Sequence, residues 1–314
     1  MISLKVNDTK IEGIDEMSIS SSIYALSALA VIKFTDSTPN DFAMLLQYIR
    51  EGNTAEISID DTVLMRGYVK KITPCYDNQQ QSLDITIQSQ IAKYINRPIT
   101  KGKYYINQTT DEILKDLCPD IEIDVQKSVQ IPVFVSQSEE KTDEVIARLA
   151  KIAGVLIYSK ATGKLTVEDK TTETAVLDYL TNGVNILKIE NRKVSNKGVK
   201  IISQLPLDDN IDIDSAISTA LKSKGSIGEV YVVDYATPAV LHFFEKAPLT
   251  IQLESSKFFS QTGNLLQVNQ VIGTENDWTI GEKAMLITAI DFRLINNVYT
   301  AVMELEAIIG GENG

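Results

Sequence analysis

Apolar and polar residues alternate most clearly between residues 52 and 91, on both sides of a turn at Asp60 and Asp61. The alternation returns at residues 83–87, after a polar turn at residues 76–80. A period of two with polar turns between the runs is typical of half-buried antiparallel strands. The stretch therefore predicts a three-stranded meander, and because it contains no group suited to catalysis its expected role is architectural.

The residues before this meander predict further strands and one short helix. Ile2–Val6 alternates and ends in a turn at residues 7–8, and a longer strand is predicted at residues 23–34. Four apolar residues then follow a helical spacing, and they are Phe42, Leu45, Leu46 and Ile49. Gly52 can end this helix in the left-handed conformation. Because so few strands must cover or close their edges, the sequence predicts an antiparallel β-barrel over residues 1–96.

Residues 97–172 predict a compact α+β domain in which acidic residues occupy the first turn of each helix, as the helix dipole favours. Its predicted elements are a helix from Thr109 or Thr110 to Pro119, strands at residues 121–125 and 132–136, a helix from Thr142 to Gly154, and a hairpin at residues 155–169 that turns at Thr162 and Gly163. Capping threonines and a closing glycine are the usual boundaries of such helices.

The remainder of the chain returns to strands, interrupted by one helix with acidic residues at its start. The predicted strands are at residues 186–193, 198–204, 229–235, 250–254 and 265–272, and the helix is at residues 208–224. A last hairpin at residues 282–308 turns at Asn296 and Asn297 and resembles the hairpin of residues 64–91. The likeness indicates an internal repeat, unless it is the chance similarity of two hairpins.

The predicted fold class is thus α+β, mainly β, with two similar antiparallel, tube-type β-barrels and a small α+β domain between them. The second barrel is expected to comprise residues 173–205 and 255–314, with residues 206–254 as a helical and extended insertion. A length of 314 residues fits two or three domains.

Composition indicates an ordinary globular chain, with 44% hydrophobic and 23% charged residues. No run approaches the ~18 apolar residues that span a bilayer, so no membrane insertion is expected. The first ten residues lack the features of a signal peptide, which predicts folding in the cytoplasm. Cys75 and Cys118 are too few for a disulfide framework and are predicted to be free thiols.

A formal net charge of −12 argues against binding of nucleic-acid phosphates, because such binding depends on clustered Lys and Arg. An acidic surface can instead line a passage through which nucleic acid moves without sticking. The alternative is that the charge only keeps the protein soluble.

Candidate catalytic and metal-binding residues are few. The chain has a single histidine, His242, in an apolar segment, and no GxSxG motif to supply the serine of a triad. The acidic run at residues 208–214 resembles a calcium loop, but Ile213 stands at the obligatory glycine and Thr219 at the final glutamate. An acidic helix start explains the run better.

Two further patterns also favour structural explanations. Thr162, Gly163 and Lys164 resemble part of a phosphate loop, yet Tyr158 replaces its first glycine, and a hairpin turn explains them. Trp278 is the only tryptophan, and a structural plug or interface anchor is a more usual role for it than a glycan platform. We therefore predict no catalytic, cofactor-binding or metal-binding residues, no cofactor, and a protein that is not an enzyme.

Several motifs occur in a fixed order along nearly the whole chain. They are Gly52-x-x-Ala55-Glu56-Ile57, Val63-Leu64-Met65-Arg66-Gly67-Tyr68-Val69, Pro74-Cys75-Tyr76-Asp77, Ile131-Pro132-Val133-Phe134, Thr142-Asp143-Glu144-Val145-Ile146-Ala147-Arg148-Leu149-Ala150, Gly163-Lys164-Leu165, Leu286-Ile287-Thr288-Ala289-Ile290-Asp291-Phe292 and Thr300-Ala301-Val302-Met303-Glu304-Leu305. In this order they resemble the baseplate hub proteins of contractile-tailed phages, particularly the Mu-like tail protein family.

The resemblance implies a structural baseplate hub that forms a homotrimer. In such hubs two similar barrels per subunit make a pseudo-sixfold ring, which adapts the sixfold tail tube to the threefold central spike and forms a conduit for DNA. The implied partners are the tail tube protein, the central spike protein and other baseplate proteins, in a virion assembled in the host cytoplasm. The alternatives are the hub of a tailocin or type VI-like machine, or a carbohydrate-binding or carbohydrate-hydrolysing β protein.

Overall fold

The computed structural model describes residues 2–36, 46, 48–76, 81–171, 179–181, 186–194, 202–203, 240–241, 249–260, 263–275 and 284–308. Strands make up most of these residues and helices are few. No helix in the described part of the chain is long and apolar enough to cross a membrane.

Seven strands form the first part of the chain. They are β1 (Ile2–Val6), β2 (Thr9–Ile11), β3 (Glu16–Ser22), β4 (Leu29–Asp36), β5 (Thr54–Ile59), β6 (Thr62–Tyr76) and β7 (Gln81–Gln88). Asn7 and Asp60 adopt positive φ angles of 52° and 51° in the predicted turns, which confirms both. The helix predicted around residues 42–49 lies mostly outside the described residues.

One strand prediction in this region is wrong. The strand expected at residues 23–34 begins only at Leu29, and residues 16–22 form β3, which was not predicted. Met17 and Ile19 of β3 are buried, while serines occupy the alternate positions. Serine has low strand propensity, so the alternation is correct but the composition conceals it.

The middle unit has the expected α+β composition. Its elements are β8 (Lys103–Thr109), α1 (Thr110–Leu117), β9 (Ile123–Val125), β10 (Gln130–Ser136), α2 (Thr142–Ala153), β11 (Leu156–Ser159) and β12 (Leu165–Glu168), preceded by a 3-10 helix at Gln90–Tyr94. Thr109 caps α1 in a capping box with Glu112, and Gly154 closes α2 at a φ of 67°. Both helices are therefore confirmed with their predicted ends, whereas β8 was not predicted.

The last part of the described chain contributes eight strands. They are β13 (Tyr179–Thr181), β14 (Ile186–Val194), β15 (Ile202–Ser203), β16 (Val240–Leu241), β17 (Leu249–Ser255), β18 (Val271–Glu275), β19 (Ala284–Ile295) and β20 (Val298–Ala307). The β19–β20 hairpin confirms the predicted turn, with Asn296 and Asn297 at φ 52° and 63°. The strand expected at residues 265–272 starts only at Val271. The predicted helix at residues 208–224 and strand at residues 229–235 lie outside the described residues.

Thirteen of the described strands form one sheet, whose main path is β14-β17-β20-β19-β3-β4-β7-β6-β5-β1-β2. The β3–β4 pair lies in its middle. On the β4 side lie β7, β6, β5, β1 and β2, here called the N-terminal arm, and on the β3 side lie β19, β20, β17 and β14, the C-terminal arm. Among the described strands the path does not close into a barrel, so the two-barrel arrangement stays a prediction.

Both arms share one hydrophobic core. Ile32, Ile85 and Ile87 of β4 and β7 belong to the same buried cluster as Ile287 and Met303 of β19 and β20. The α+β unit has its own core between its helices and strands. A third, small cluster joins the three parts of the chain, and it comprises Ile23, Leu156, Tyr158, Val271 and Leu286. The first and last strands therefore bury their apolar residues together, although they are far apart in sequence.

Gly67 allows the N-terminal arm to pack closely. A Cβ atom at this position of β6 would lie 2.1 Å from the backbone oxygen of Gln88, closer than two such atoms can approach. Gly163, at the β11–β12 turn, lies against Arg66 of β6, whose amide donates a 2.9 Å hydrogen bond to the oxygen of Ala161. The α+β unit is thus docked directly on the N-terminal arm.

Candidate assembly surface

Groups suited to catalysis do not converge in the described part of the chain. Within it, no three or more His, Cys, Asp or Glu residues are arranged to hold a metal ion. Both cysteines are free: Cys75 is exposed, and burial raises the pKa of the Cys118 thiol to about 12, which keeps it protonated. His242, Trp278 and the acidic run at residues 208–214 lie outside the described residues.

The sequence Thr162-Gly163-Lys164 forms a hairpin turn, as predicted. The amide of Gly163 donates a 2.9 Å hydrogen bond to the oxygen of Lys160, and the amide of Lys160 in turn donates to the oxygen of Lys164. β11 and β12 pair antiparallel on either side. No phosphate-loop geometry is present at these three residues.

The face of the sheet opposite the core is polar around β3 and β19. Ser18 and Ser20 donate hydrogen bonds of 2.8 and 3.2 Å to the carboxylate of Asp291, which also accepts a 2.7 Å bond from Nε of Arg293. Two neighbouring residues of β4, Leu29 and Val31, are partly exposed on the sheet. Asp291 is thus paired with Arg293 and bonded to two serine hydroxyls, and Glu304 of β20 lines the same face.

A buried ion pair fastens the α+β unit to the C-terminal arm. Glu306 of β20 is 3% exposed, and its carboxylate accepts a 2.8 Å bond from Nζ of Lys170, which is 17% exposed. The hydroxyl of Tyr24 donates to the same carboxylate at 3.0 Å. Burial, followed by the negative charge of Glu306, raises the pKa of Tyr24, so the phenol stays protonated as a donor.

A second polar cluster lies beside the first. The carboxylate of Glu168 accepts hydrogen bonds from Tyr158, from Lys160 at 2.6 Å and from Nδ2 of Asn269 at 2.7 Å. Burial acts to raise the pKa of Glu168, but hydrogen bonds from these three residues outweigh it and hold the pKa below its ordinary value. Thr171 also donates to the side chain and backbone of Asn269, both at 3.0 Å. The end of β12 is therefore fixed to the loop before β18.

An apolar groove of about 390 Å³ opens between the connection that follows β3 and helix α2. Its floor includes Ile23, Ile146 and Leu156, which are buried. Tyr24 forms one wall with 45% of its surface exposed, although its hydroxyl is held by Glu306. An exposed aromatic ring fixed in this way is an energetically favourable interface residue, because little side-chain entropy is left to lose.

The tip of the β19–β20 hairpin carries a second exposed apolar feature. Ile295 and Val298 lie opposite each other across the two-residue turn and are 51% and 58% exposed. Asn296 and Asn297 form the turn between them. The groove and this hairpin tip are two exposed apolar features of the described surface, and Tyr104 and Ile106 of β8 form a third.

Sequence reasoning did not find the residues that build these surfaces. Lys170 and Glu306 are 136 residues apart, and neither belongs to a local pattern. Asn269 has a positive φ of 63°, which the residues around it do not indicate. The Asn296–Asn297 turn was predicted, but the exposure of Ile295 and Val298 on either side of it was not.

A sheet shared by both ends of the chain and an α+β unit docked on it define the fold of the described residues. Residues 1–88 match the family model of the Mu phage baseplate assembly protein GpP-like, N-terminal domain. The resemblance to Mu-like tail proteins is thereby confirmed. The family is one of structural tail and baseplate proteins rather than of enzymes.

Solved structures share the fold over almost the full chain. A 43 kDa tail protein of prophage MuSo2 from Shewanella oneidensis is 18% identical, with a TM-score of 0.70 and coverage of 98% of both chains. A tail protein from Neisseria meningitidis MC58 is 11% identical, with a TM-score of 0.71, and covers 98% of this chain and 96% of its own.

The fold also extends beyond phage proteins. An Escherichia coli component of the type VI secretion system, itself described as structurally similar to the T4 bacteriophage tail proteins gp27 and gp5, is 11% identical with a TM-score of 0.58. It covers 97% of this chain and 76% of its own. No curated protein sequence matches the chain significantly.

Proposed function

We propose that the protein is a phage tail baseplate hub: a homotrimer that adapts the sixfold tail tube to the threefold central spike. The observation that carries this proposal is the sheet with two arms on either side of β3–β4. Each arm begins with a long antiparallel hairpin, β6–β7 in one and β19–β20 in the other, and each hairpin contains a register shift. Three copies offer six such arms around an axis, as a threefold-to-sixfold adaptor requires.

In this proposal the two arms belong to two barrel domains. The first comprises residues 1–96 and the second residues 173–205 and 255–314, with the α+β domain at residues 97–172 and an insertion at residues 206–254. The separate core of the α+β unit supports its treatment as a domain. The core shared by the arms supports a rigid link between the barrels.

The polar face of the sheet would line a conduit for DNA. Its serines and its Asp291–Arg293 pair offer no unpaired cation to a phosphate, and the chain carries a net charge of −12. Such a wall repels the DNA backbone weakly and does not retain it. The proposed partners are the tail tube protein, the central spike protein and other baseplate proteins, within a virion assembled in the bacterial cytoplasm.

A related function has specific support. The E. coli type VI secretion component shares the fold, so a hub in a tailocin or a type VI-like injection machine is the second candidate. The genes beside this one separate the two functions: capsid and packaging genes favour a phage.

Electron microscopy of the purified full-length chain, alone and with its spike protein, tests the proposal. We expect particles with threefold symmetry and a central hole, with a mass of three chains in solution. A chain that stays monomeric at high concentration, even with the spike protein present, contradicts the trimeric hub.

A further inference from the structure

A small internal cavity lies where the α+β unit meets the middle of the sheet. Its volume is about 30 Å³, and it is bounded by β3, by the β11–β12 hairpin, by β19 and by the loop before β18. Much of its wall is apolar and includes Ile19, Leu266 and Phe292, which are buried. Ser21 and Ser159 also line it, so the wall includes two residues that carry hydroxyl groups.

The hydroxyl of Ser159 is buried and has no hydrogen-bond partner among the described residues. Ser159 is 4% exposed and lies at the end of β11, opposite Leu165 of β12. A buried hydroxyl that makes no hydrogen bond is costly, because folding removed its bonds to solvent. Since Ser159 lines the cavity, a molecule bound there can supply the missing bond.

Ser21 brings a second hydroxyl to the cavity, from the sheet. Ile19 of the same strand is buried in the core. Ser18 and Ser20 instead donate to Asp291 on the opposite face. Because side chains alternate along a strand, Ser21 lies on the same face as Ile19. The cavity therefore receives one hydroxyl from the sheet and one from the α+β unit.

The size and chemistry of the cavity favour water as its ligand. A bound water needs at least about 10–15 Å³, so the cavity has room for about one or two molecules and for nothing much larger. The described residues of its wall include no Asp, Glu, His or Cys to hold a metal ion. Lys160 lies at the wall, but its ammonium is bonded to Glu168 at 2.6 Å. A water molecule suits two serine hydroxyls, because each hydroxyl can donate or accept.

We propose that this cavity is the binding site of a structural water that bridges Ser159 and Ser21. The water links the α+β unit to β3 inside the protein, beside the links made by Glu168 and by the Lys170–Glu306 ion pair. Docking of the α+β unit on the sheet is then partly water-mediated. The inference does not depend on the proposed hub function.

Thermal unfolding of two full-length variants tests the site. Ser159→Ala removes one partner of the water, so we expect it to lower the unfolding midpoint by ~1–2 °C. Thr166→Val is the matched comparison, because Thr166 is fully buried on the adjacent strand and its hydroxyl also has no partner among the described residues, yet it does not line the cavity. An apolar group of the same shape should raise that midpoint or leave it unchanged. A rise for Ser159→Ala as well shows that its hydroxyl binds no water, and overturns the inference.

A double-mutant cycle tests whether the two serines share one water. Once Ser159→Ala has removed one end of the bridge, Ser21→Ala should lower the midpoint less than it does in the wild-type chain. Ser18→Ala is the control, because Ser18 lies on the opposite face of β3 and bonds to Asp291. Its effect should add to that of Ser159→Ala. If the effect of Ser21→Ala is additive too, no water bridges the two residues.

A high-resolution crystal structure of the full-length chain gives the direct result. We expect an ordered water about 3 Å from the hydroxyl oxygens of both Ser21 and Ser159. In the variant that carries both alanines, this water should be lost. A wild-type cavity that is empty, or that a side chain fills, overturns the inference and leaves the hub proposal unaffected.

Discussion

The two arms of the sheet pack against their neighbours in different ways. In the N-terminal arm, β6 approaches β7 so closely that a glycine, Gly67, must stand opposite the backbone of Gln88. In the C-terminal arm, β20 carries a buried carboxylate, Glu306, which is neutralised by Lys170 from the end of the α+β unit. The first arm is thus fitted by local shape, and the second depends on a residue far away in sequence.

The difference shows which arm has its strand partners close in sequence. The strands of the N-terminal arm, and β4 with which they pair, lie within residues 2–88, although their buried residues also pack against the C-terminal arm. The C-terminal arm needs β3 as its neighbour and Lys170 as its counter-charge. We therefore expect substitutions in the N-terminal arm to destabilise the whole protein. Substitutions at the Lys170–Glu306 ion pair or at Glu168 should instead weaken the contacts between the α+β unit and the C-terminal part of the chain.

The largest effect is expected from Gly67→Ala. The added methyl group overlaps the backbone of β7, which has no flexible side chain to move aside. We expect the β6–β7 pairing to fail, with a loss of at least ~5 kcal/mol or no folded protein. Circular dichroism and the soluble yield measure the outcome. Gly13→Ala is the comparison variant, because a Cβ there meets nothing within 4 Å and its φ of 83° adds only a backbone strain of about 1–2 kcal/mol; equal losses of stability in the two variants contradict the close packing.

The next effect is expected from Glu306→Ala, which leaves the ammonium group of Lys170 largely buried without its carboxylate. Removing one partner of a buried ion pair costs about 3–5 kcal/mol. We expect the double variant Glu306→Ala with Lys170→Met to recover part of that loss, because the stranded charge is gone. Urea unfolding measures all three proteins. If the double variant is no better than the single one, the pair does not couple the α+β unit to the second arm.

A matched pair of core variants compares the arms directly. Ile85 of β7 and Ile287 of β19 are both fully buried in the same cluster, and truncation of either to alanine should cost about 2–5 kcal/mol. Because the core is shared, we expect each variant to unfold in a single transition with a lowered midpoint. Calorimetry showing two separate transitions for Ile287→Ala would mean that the C-terminal arm unfolds independently.

The smallest expected effect is a pH dependence of stability that arises from Glu168 and its hydrogen-bond partners. The pKa of Glu168 is lower in the folded protein than in the unfolded chain, because bonds from Lys160, Tyr158 and Asn269 outweigh its burial. Its contribution to stability is therefore present above the ordinary carboxyl pKa and is lost as the pH falls through the folded value. Melting curves from neutral to acidic pH should show a smaller difference between wild type and Glu168→Gln at the acid end.

A control for this pH dependence is Glu56→Gln. Glu56 pairs with Arg66 near the surface of the N-terminal arm, where an ion pair contributes only about 0–1 kcal/mol. If the difference between wild type and Glu168→Gln stays constant across the pH range, the carboxylate does not titrate as its surroundings indicate.

Local chemistry made much of the fold predictable from the sequence. The turns at Asn7, Asp60 and Asn296, the cap at Thr109 and the closing Gly154 each follow from the residue type at one position. These signals act over a few residues, so a single sequence shows them.

Two strands and one ion pair were not predicted, because they leave no clear local pattern in the sequence. β3 is rich in serine, and β8 is interrupted by Asn107 at a positive φ of 50°, so both depart from an ordinary strand composition. The joint at Lys170 and Glu306 forms only when the sheet brings distant segments together. The groove beside Tyr24 depends on this ion pair, because Glu306 also holds the Tyr24 hydroxyl. The groove could therefore not be derived before the fold was known.

The pairing of β3 with β19 has a consequence for synthesis on the ribosome. Ser18 and Asp291, which bond across this pair, are 273 residues apart. At a translation rate of about 5–20 residues per second, β3 waits roughly 14–55 s for its neighbour to emerge. During that interval its edge is open to strands of other nascent chains. Alternate serines make β3 a poor template for such aggregation, so the composition that hides this strand from prediction also protects it while the polypeptide is incomplete.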